Sequence, residues 1–173
     1  VGDWDLARPT YWRPPLTADS GRRVAVVGAG PTGLSASWHL RRTGHACTLF
    51  DDHEAAGGML RRGVEPDRLD RDVLDAEIGA VLALGVHTRF GVRVGHDVQL
   101  DELRREFDAV IVAVGDIRDP AHRLGLAGDD KGIAANRATG ETATDGVFAG
   151  GSAVRSTKLA VRAEQDGKTL AAA

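Results

Sequence analysis

Cysteine is almost absent. A single residue, Cys47, serves a chain of 173 residues. That excludes an internal disulfide, a C-x-x-C redox pair and a cysteine-ligated iron–sulfur cluster within the chain. Cys47 falls in an apolar stretch and reads as a small core residue. Basic excess is absent too. The 22 lysines and arginines face 25 aspartates and glutamates, a net charge of −3, with both signs mixed along the chain. There is no basic stripe of the kind that binds nucleic acid. No apolar run approaches the roughly 18 residues of a membrane span. The opening residues Val1-Gly-Asp-Trp-Asp5 carry neither the basic nor the apolar region of a signal peptide. With so little cysteine, the expected compartment is the cytoplasm. The six histidines, His39, His45, His53, His87, His96 and His122, lack metal-ligand spacing. They read as surface or capping residues, and no metal site is expected. Ser35 does not sit in a G-x-S-x-G elbow, because position 37 is Ser37.

What the chain does have is the composition of an ordinary globular protein and an unusual placement of glycine. Apolar residues make up 42% and charged residues 27%. The length suffices for one domain with a sizeable core. Gly28, Gly30 and Gly33 form G-x-G-x-x-G between the apolar run Val24–Val27 and a helix-like stretch. That context makes the pattern specific. The first glycine permits a tight turn out of a strand. The second lets bare backbone approach a diphosphate, and the third lets the helix pack against the strand. The helix N-terminus then offers unpaired N–H groups to the phosphates. An acidic residue on a ribose hydroxyl is expected about 20 residues further on. Asp51, with Asp52 beside it, follows the next apolar run Ala46–Phe50. Asp51 and Asp52 read as a ribose contact plus a solvated charge rather than an acid–base dyad.

Residues 1–21 read as an arm, interrupted by Pro9, Pro14 and Pro15, with Trp4, Tyr11 and Trp12 to bury. It is expected to lie across a partner or its own domain. Residues 22–173 read as one domain. Strands are predicted at 23–27, 46–50, 86–90, 92–94, 109–114 and 147–149. Helices are predicted at 31–43, 70–84 and from 157 to the end, with a short amphipathic helix around Leu100–Phe107. Asp70 is placed to cap the second of these and Gly85 to stop it. The segments around Gly57-Gly58 and 115–131 are predicted to be loops. The fold class is α/β: a Rossmann-like, mostly parallel sheet with helices on both faces and a small β meander. A ligand should sit beyond the C-terminal ends of the strands.

Several separated motifs then stand in a recognisable order. They are Val24–Phe50, Gly57-Gly-Met-Leu60, Arg61–Leu69, Leu74–Val86, Phe107-Asp-Ala-Val-Ile-Val-Ala-Val-Gly115 and Gly146-Val-Phe-Ala-Gly-Gly151. On these the chain resembles the flavin domain of the glutamate synthase small subunit and its relatives. That group includes dihydropyrimidine dehydrogenase and, more broadly, the flavoproteins with two dinucleotide-binding domains. The resemblance covers nearly everything after residue 20. It implies an FAD site. Gly28, Gly30 and Gly33, with Pro31 and Thr32 between them, would hold the diphosphate. Asp51 and Asp52 would stand at the adenosine ribose and Val94 near the adenine. Gly58, Met59 and Leu60 would line the flavin side, and Arg68 would reach the cofactor. Ala113 and Gly115 would close an Ala-x-Gly turn against it. Gly151 and Ser152 would meet the ribityl chain and phosphates. The last helix would aim its N-terminus, near Lys158 and Leu159, at the flavin. The chain also departs from the family. Ser152 stands where the family has aspartate. Arg62, Glu65 and Asp70 stand where it has a tyrosine and two prolines, so that loop is expected to be reshaped.

The largest departure is internal. In the family a whole NAD(P)H-binding domain lies between the Ala-x-Gly strand and the Gly-Gly motif. Here Gly150 follows Gly115 by 35 positions, too few for a second nucleotide-binding βαβ unit, so that domain is absent between about 116 and 145. The chain is either a naturally minimal flavin subunit or ordered pieces of a longer one. No proton donor, metal site or redox cysteine is evident beside the flavin, and no catalytic residue is assigned. The expected function is an FAD-binding electron-transfer component. It would pass electrons between a nicotinamide or substrate site and iron–sulfur centres on partner oxidoreductase subunits. The alternatives are an NAD(P)-binding dehydrogenase domain and a non-catalytic scaffold that kept the fold.

Overall fold

Strand β1 (Arg23–Val27) is buried from Val24 onward on both faces, which is why it reads as an unbroken apolar run rather than an alternating one. It is the centre of a sheet of five parallel strands in the order β3-β2-β1-β4-β7. The others are β2 (Ala46–Phe50), β3 (His87–Arg89), β4 (Ala109–Val112) and β7 (Val147–Ala149). The computed structural model describes residues 14–116, 119–129, 132–155 and 159–173. Between the strands lie α1 (Pro31–Arg42), α2 (Gly58–Arg62), α3 (Arg71–Leu82), α4 (Leu100–Glu106), α5 (Pro120–Leu124) and finally α6 (Ala160–Leu170). The chain order strand, helix, strand with parallel pairing gives the α/β layering predicted from the sequence.

Alternate residues of the strands feed two cores. Val24, Val26, Cys47, Leu49 and Ile111 face α1, α3 and α6 through Leu34, Leu40, Leu74, Ile78 and Leu170. Ala25, Val27, Phe50, Val110 and Val112 face α4 and α5 through Leu100, Leu103, Ala121 and Leu124. Helices therefore cover both faces of the sheet. Helix α6 lies close on α1. The Ser35 hydroxyl donates to the Glu164 carbonyl at 2.7 Å. A side chain at Gly167 would stand 2.3 Å from the Thr32 carbonyl oxygen, so only glycine lets the two helices approach this closely. No helix among the described residues is long and apolar enough to cross a membrane.

Some boundaries differ from those read in the sequence. The Gly57-Gly58 segment is not a loop: Gly58–Arg62 forms the short helix α2. The 92–94 strand is absent and leaves one bridge, Val94 to Val98. Three charged or glycine positions around it, Gly91, Arg93 and Gly95, turn the chain instead. Segment 115–131 is not all loop. Asp119 caps α5, and Gly128–Asp129 pairs antiparallel with Gly132–Ile133 as β5 and β6. The isolated antiparallel bridges Ala135–Thr142 and Glu141–Phe148 follow that two-residue pairing along the chain. Strand β4 stops at Val112 because the next two residues bend across the turn after β1. The last helix begins at Ala160 rather than 157, after a 3-10 turn at Gly151–Ala153. Helix α3 is capped as expected, with the Asp70 carboxylate accepting the Asp72 N–H at 2.8 Å. Helix α4 gains a capping box from Gln99 and Glu102. Of the arm, residues 1–13, with Trp4, Tyr11 and Trp12, lie outside the described residues. The part that follows runs beside the end of α1, where the Thr17 N–H donates to the Arg42 carbonyl and the Ser20 N–H to Gly44.

Cys47 is the small core residue it promised to be. It is 1% exposed, and its sulfur lies 3.4 Å from the Ser37 hydroxyl. Burial pushes its thiol up to about 11 from an ordinary 9.0. The folded state therefore keeps a proton that the unfolded chain gives up. The stability this represents is intact below about pH 9 and is lost as pH rises through 11, at about 1.4 kcal/mol per pH unit. Urea midpoints measured from pH 8 to 10.5 should fall more steeply for this protein than for its Cys47→Ala variant.

Candidate functional site

The site begins where β1 ends. Gly28 has φ +107, and a Cβ there would lie 2.3 Å from the Ala113 carbonyl oxygen, so the close passage of the chain just after β4 demands glycine. A Cβ at Gly33 would lie 1.8 Å from the Gly28 carbonyl oxygen, which fixes α1 hard against the turn. Gly58 is needed for a third approach, since its Cβ would stand 2.7 Å from the Gly30 Cα. A Cβ at Gly151 would meet the Thr32 hydroxyl oxygen at 2.3 Å. Gly30 is different. Its backbone is ordinary extended chain, at φ −80 and ψ −175. Its Cβ would touch only the Gly58 Cα, at a comfortable 3.8 Å. Nothing among the described residues requires glycine at position 30. The absence of a side chain there keeps a space open.

That space adjoins the start of α1. Gly30 is the N-cap, no side chain caps the helix, Pro31 occupies the first position and no acid lies in the first turn. The first-turn N–H groups and the positive end of the helix dipole are left for an anion. Asp51 is tied to the same loop. One of its carboxylate oxygens accepts the Ala29 N–H at 2.7 Å, and the other accepts the His53 N–H at 2.9 Å. Its side chain is 9% exposed, whereas that of Asp52 is 39% exposed and pairs with His53 Nδ1 at 2.6 Å and Arg93 Nε at 3.4 Å. Asp51, Asp52 and His53 bring ligand-type atoms within 4.8 Å of one another. Those atoms are already engaged by the backbone and by each other.

A cavity of about 440 Å³ opens beside Gly28, lined by Val27, Phe50, Asp51, Asp52, Val94 and Val114 among others. It falls in the roughly 300–1,000 Å³ range of cofactor clefts, and it lies where a parallel sheet binds ligands, beyond the strands' C-terminal ends. Of the residues singled out in the sequence, Gly28, Asp51, Asp52 and Val94 line this cavity. Gly30, Pro31, Thr32, Gly33, Gly58 and Gly151 form the bare-backbone cradle next to it. Ala113 presses on Gly28, and Gly115, at φ +78, turns the chain away from β4. Ser152 is half-buried in the 3-10 turn. Met59 and Leu159 are among the most exposed large apolar side chains, at 63% and 57%, while Leu60 packs on the core. Lys158 lies outside the described residues.

Arg68 is exposed and does not line the cavity. The sequence reading missed the residues that do: Arg62, Arg93 and Arg123, with His53, His96 and His122. No local pattern marks them. They meet because α5 folds over the 91–95 turn, with the Arg123 carbonyl 2.6 Å from where a Cβ on Gly95 would stand.

The family model described as pyridine nucleotide-disulphide oxidoreductase matches residues 11–167. The chain is 43% identical over 132 residues to the NADP(+)-dependent formate dehydrogenase subunit beta of Moorella thermoacetica, covering 76% of this chain and 18% of that one. It is 38% identical over 116 residues to the NADPH-Fe(3+) oxidoreductase subunit beta of Geobacter sulfurreducens, covering 64% and 16%. It is 35% identical over 128 residues to the glutamate synthase [NADPH] small chain of Escherichia coli, covering 73% and 27%. The chain thus spans between 16% and 27% of these relatives' lengths. Among solved structures, Mycobacterium tuberculosis FprA in complex with NADPH superposes with a TM-score of 0.53 at 27% identity, over 71% of this chain and 27% of that one. Thermovibrio ammonificans THI4 superposes over 87% of each chain with a TM-score of 0.60 at 15% identity, a likeness of fold alone.

Proposed function

Because this chain belongs to the pyridine nucleotide-disulphide oxidoreductase family, we propose that it is the FAD-binding electron-transfer component of an oxidoreductase complex. The observation that carries the reading is Gly30, a glycine that packing among the described residues does not need, beside an uncapped helix N-terminus and a cavity lined by Asp51. The residues fit a dinucleotide. Gly28, Gly30, Thr32 and Gly33 would hold the diphosphate, and Asp51, with Asp52 and Val94, the adenosine end. Gly58, Met59, Leu60, Gly115, Gly151, Ser152 and Leu159 would border the flavin end. When bound, FAD supplies hydride transfer and one-electron release at its ring system. The chain's own part is to bind and orient. The bare backbone admits the phosphates, the helix dipole favours their charge and the Asp51 carboxylate accepts from a ribose hydroxyl.

The family's name mentions disulphide chemistry, but this chain's single cysteine is buried and protonated, so no dithiol step belongs to it. Residues 22–173 act as one nucleotide-binding domain without an inserted NAD(P)H domain, and electrons enter and leave through other chains. The relatives' names support this: each is a subunit or small chain of an oxidoreductase. The partners we propose carry iron–sulfur centres or a nicotinamide site. The compartment we propose is the cytoplasm.

The visible spectrum of the purified chain mixed with FAD tests the proposal. The expected result is a stoichiometric, gel-filtration-stable flavin spectrum. A colourless protein that transfers energy to bound NADH would replace the reading with a dehydrogenase domain. A colourless protein that binds neither would make it a scaffold.

A further inference from the structure

Arg61 and Arg62 are neighbours on α2 with opposite employment. The fold uses Arg61: its Nε donates to the Ala56 carbonyl at 2.6 Å and its guanidinium pairs with Asp75 of α3. Arg62 is exposed and lines the cavity with Gly28, Asp51 and Asp52, and its side chain has no hydrogen-bond or ion-pair partner among the described residues. Arg123 of α5 repeats the pattern, exposed on the same cavity wall with no acidic partner among the described residues. The other polar side chains of the wall have local partners. Arg93 stands 3.4 Å from Asp52. His53 pairs with Asp51 and Asp52, His96 with Asp97 and His122 with Asp119.

Two uncommitted guanidiniums from two separate elements therefore face one cleft that also contains the glycine turn. Guanidinium matches phosphate oxygens through paired N–H bonds better than any other side chain. We infer that Arg62 and Arg123 hold the phosphates of the nucleotide in this cavity, so that the ADP moiety, more than the flavin ring, is what this chain selects. This rests on the nucleotide-binding reading above. It also gives work to the short link between Gly115 and Gly150: its helix α5 builds a wall of the nucleotide site.

The test titrates the full chain and its Arg62→Gln, Arg123→Gln and Arg62→Lys variants with FAD, ADP and adenosine by calorimetry, at low and high salt. Unfolding midpoints should not move, because neither side chain has a hydrogen-bond or ion-pair partner among the described residues. Each glutamine variant should weaken ADP about ten- to a hundredfold at low salt and leave adenosine unchanged. The deficit should shrink as salt screens the charge, and Arg62→Lys should recover part of it. Unchanged ADP affinity, or equal losses for ADP and adenosine, would overturn the inference while leaving FAD binding intact. A wild-type chain that binds neither FAD nor ADP would overturn the nucleotide reading and this inference with it.

Discussion

Alanine in place of Gly33 should cost about 3 kcal/mol or more, or leave no folded protein at all. The added methyl would sit 1.8 Å from the Gly28 carbonyl oxygen, 3.0 Å from its carbon and 3.3 Å from a Val26 methyl. Two of the three obstacles are backbone, which cannot rotate aside. Relief requires α1 to lift off β1, and α1 also carries the close contact with α6. Overpacking commonly costs about 1–3 kcal/mol where side chains can give way. Here they cannot, and a domain of this size is stable by only about 5–15 kcal/mol. Urea unfolding followed by far-UV circular dichroism measures the loss. A change below about 1 kcal/mol would mean that the helix does not lie where it is described.

Gly30→Ala, three positions earlier, should do the reverse: leave the fold alone and abolish the ligand. Its φ of −80 suits alanine, and the nearest atom to the new methyl is 3.8 Å away. Restricting the unfolded chain favours alanine by about 0.4–1 kcal/mol, and the poorer N-cap costs a similar amount. The unfolding midpoint should therefore hardly move. The methyl occupies the space that bare backbone leaves for a diphosphate, so FAD affinity, read by quenching of flavin fluorescence, should fall at least about a hundredfold. Undiminished binding with an intact fold would remove the observation on which the proposed function stands. The two substitutions have the same chemistry and lie on the same turn, so their opposite outcomes separate what glycine does for the protein from what it does for a ligand.

Which parts of this were legible in the chain follows from range. β1, β2 and β7 come out at their predicted residues, because buried strands write themselves as short apolar runs bounded by glycine or charge. Asp70 as a cap was legible for the same local reason. The 92–94 strand failed because a strand needs a neighbour, and the chain around Val94 turns on Gly91 and Gly95 before it can find one. Helix α5 was hidden because five residues carry too little periodicity to show. Arg68 was placed by likeness to a family motif whose prolines this chain lacks. In the structure Arg71 braces that loop instead, donating to the Leu60 carbonyl at 2.9 Å and to Val64.

By itself the sequence determined the βαβ core, the glycine triplet and the carboxylate after β2, since each is written within a few residues of contiguous chain. Only the tertiary structure decided which charges share the cavity. Arg62, Arg93 and Arg123 come from three elements far apart in the chain. Their convergence depends on α5 closing over the turn at Gly95 and on Gly58 pressing against Gly30, long-range contacts that leave no periodic trace in the chain.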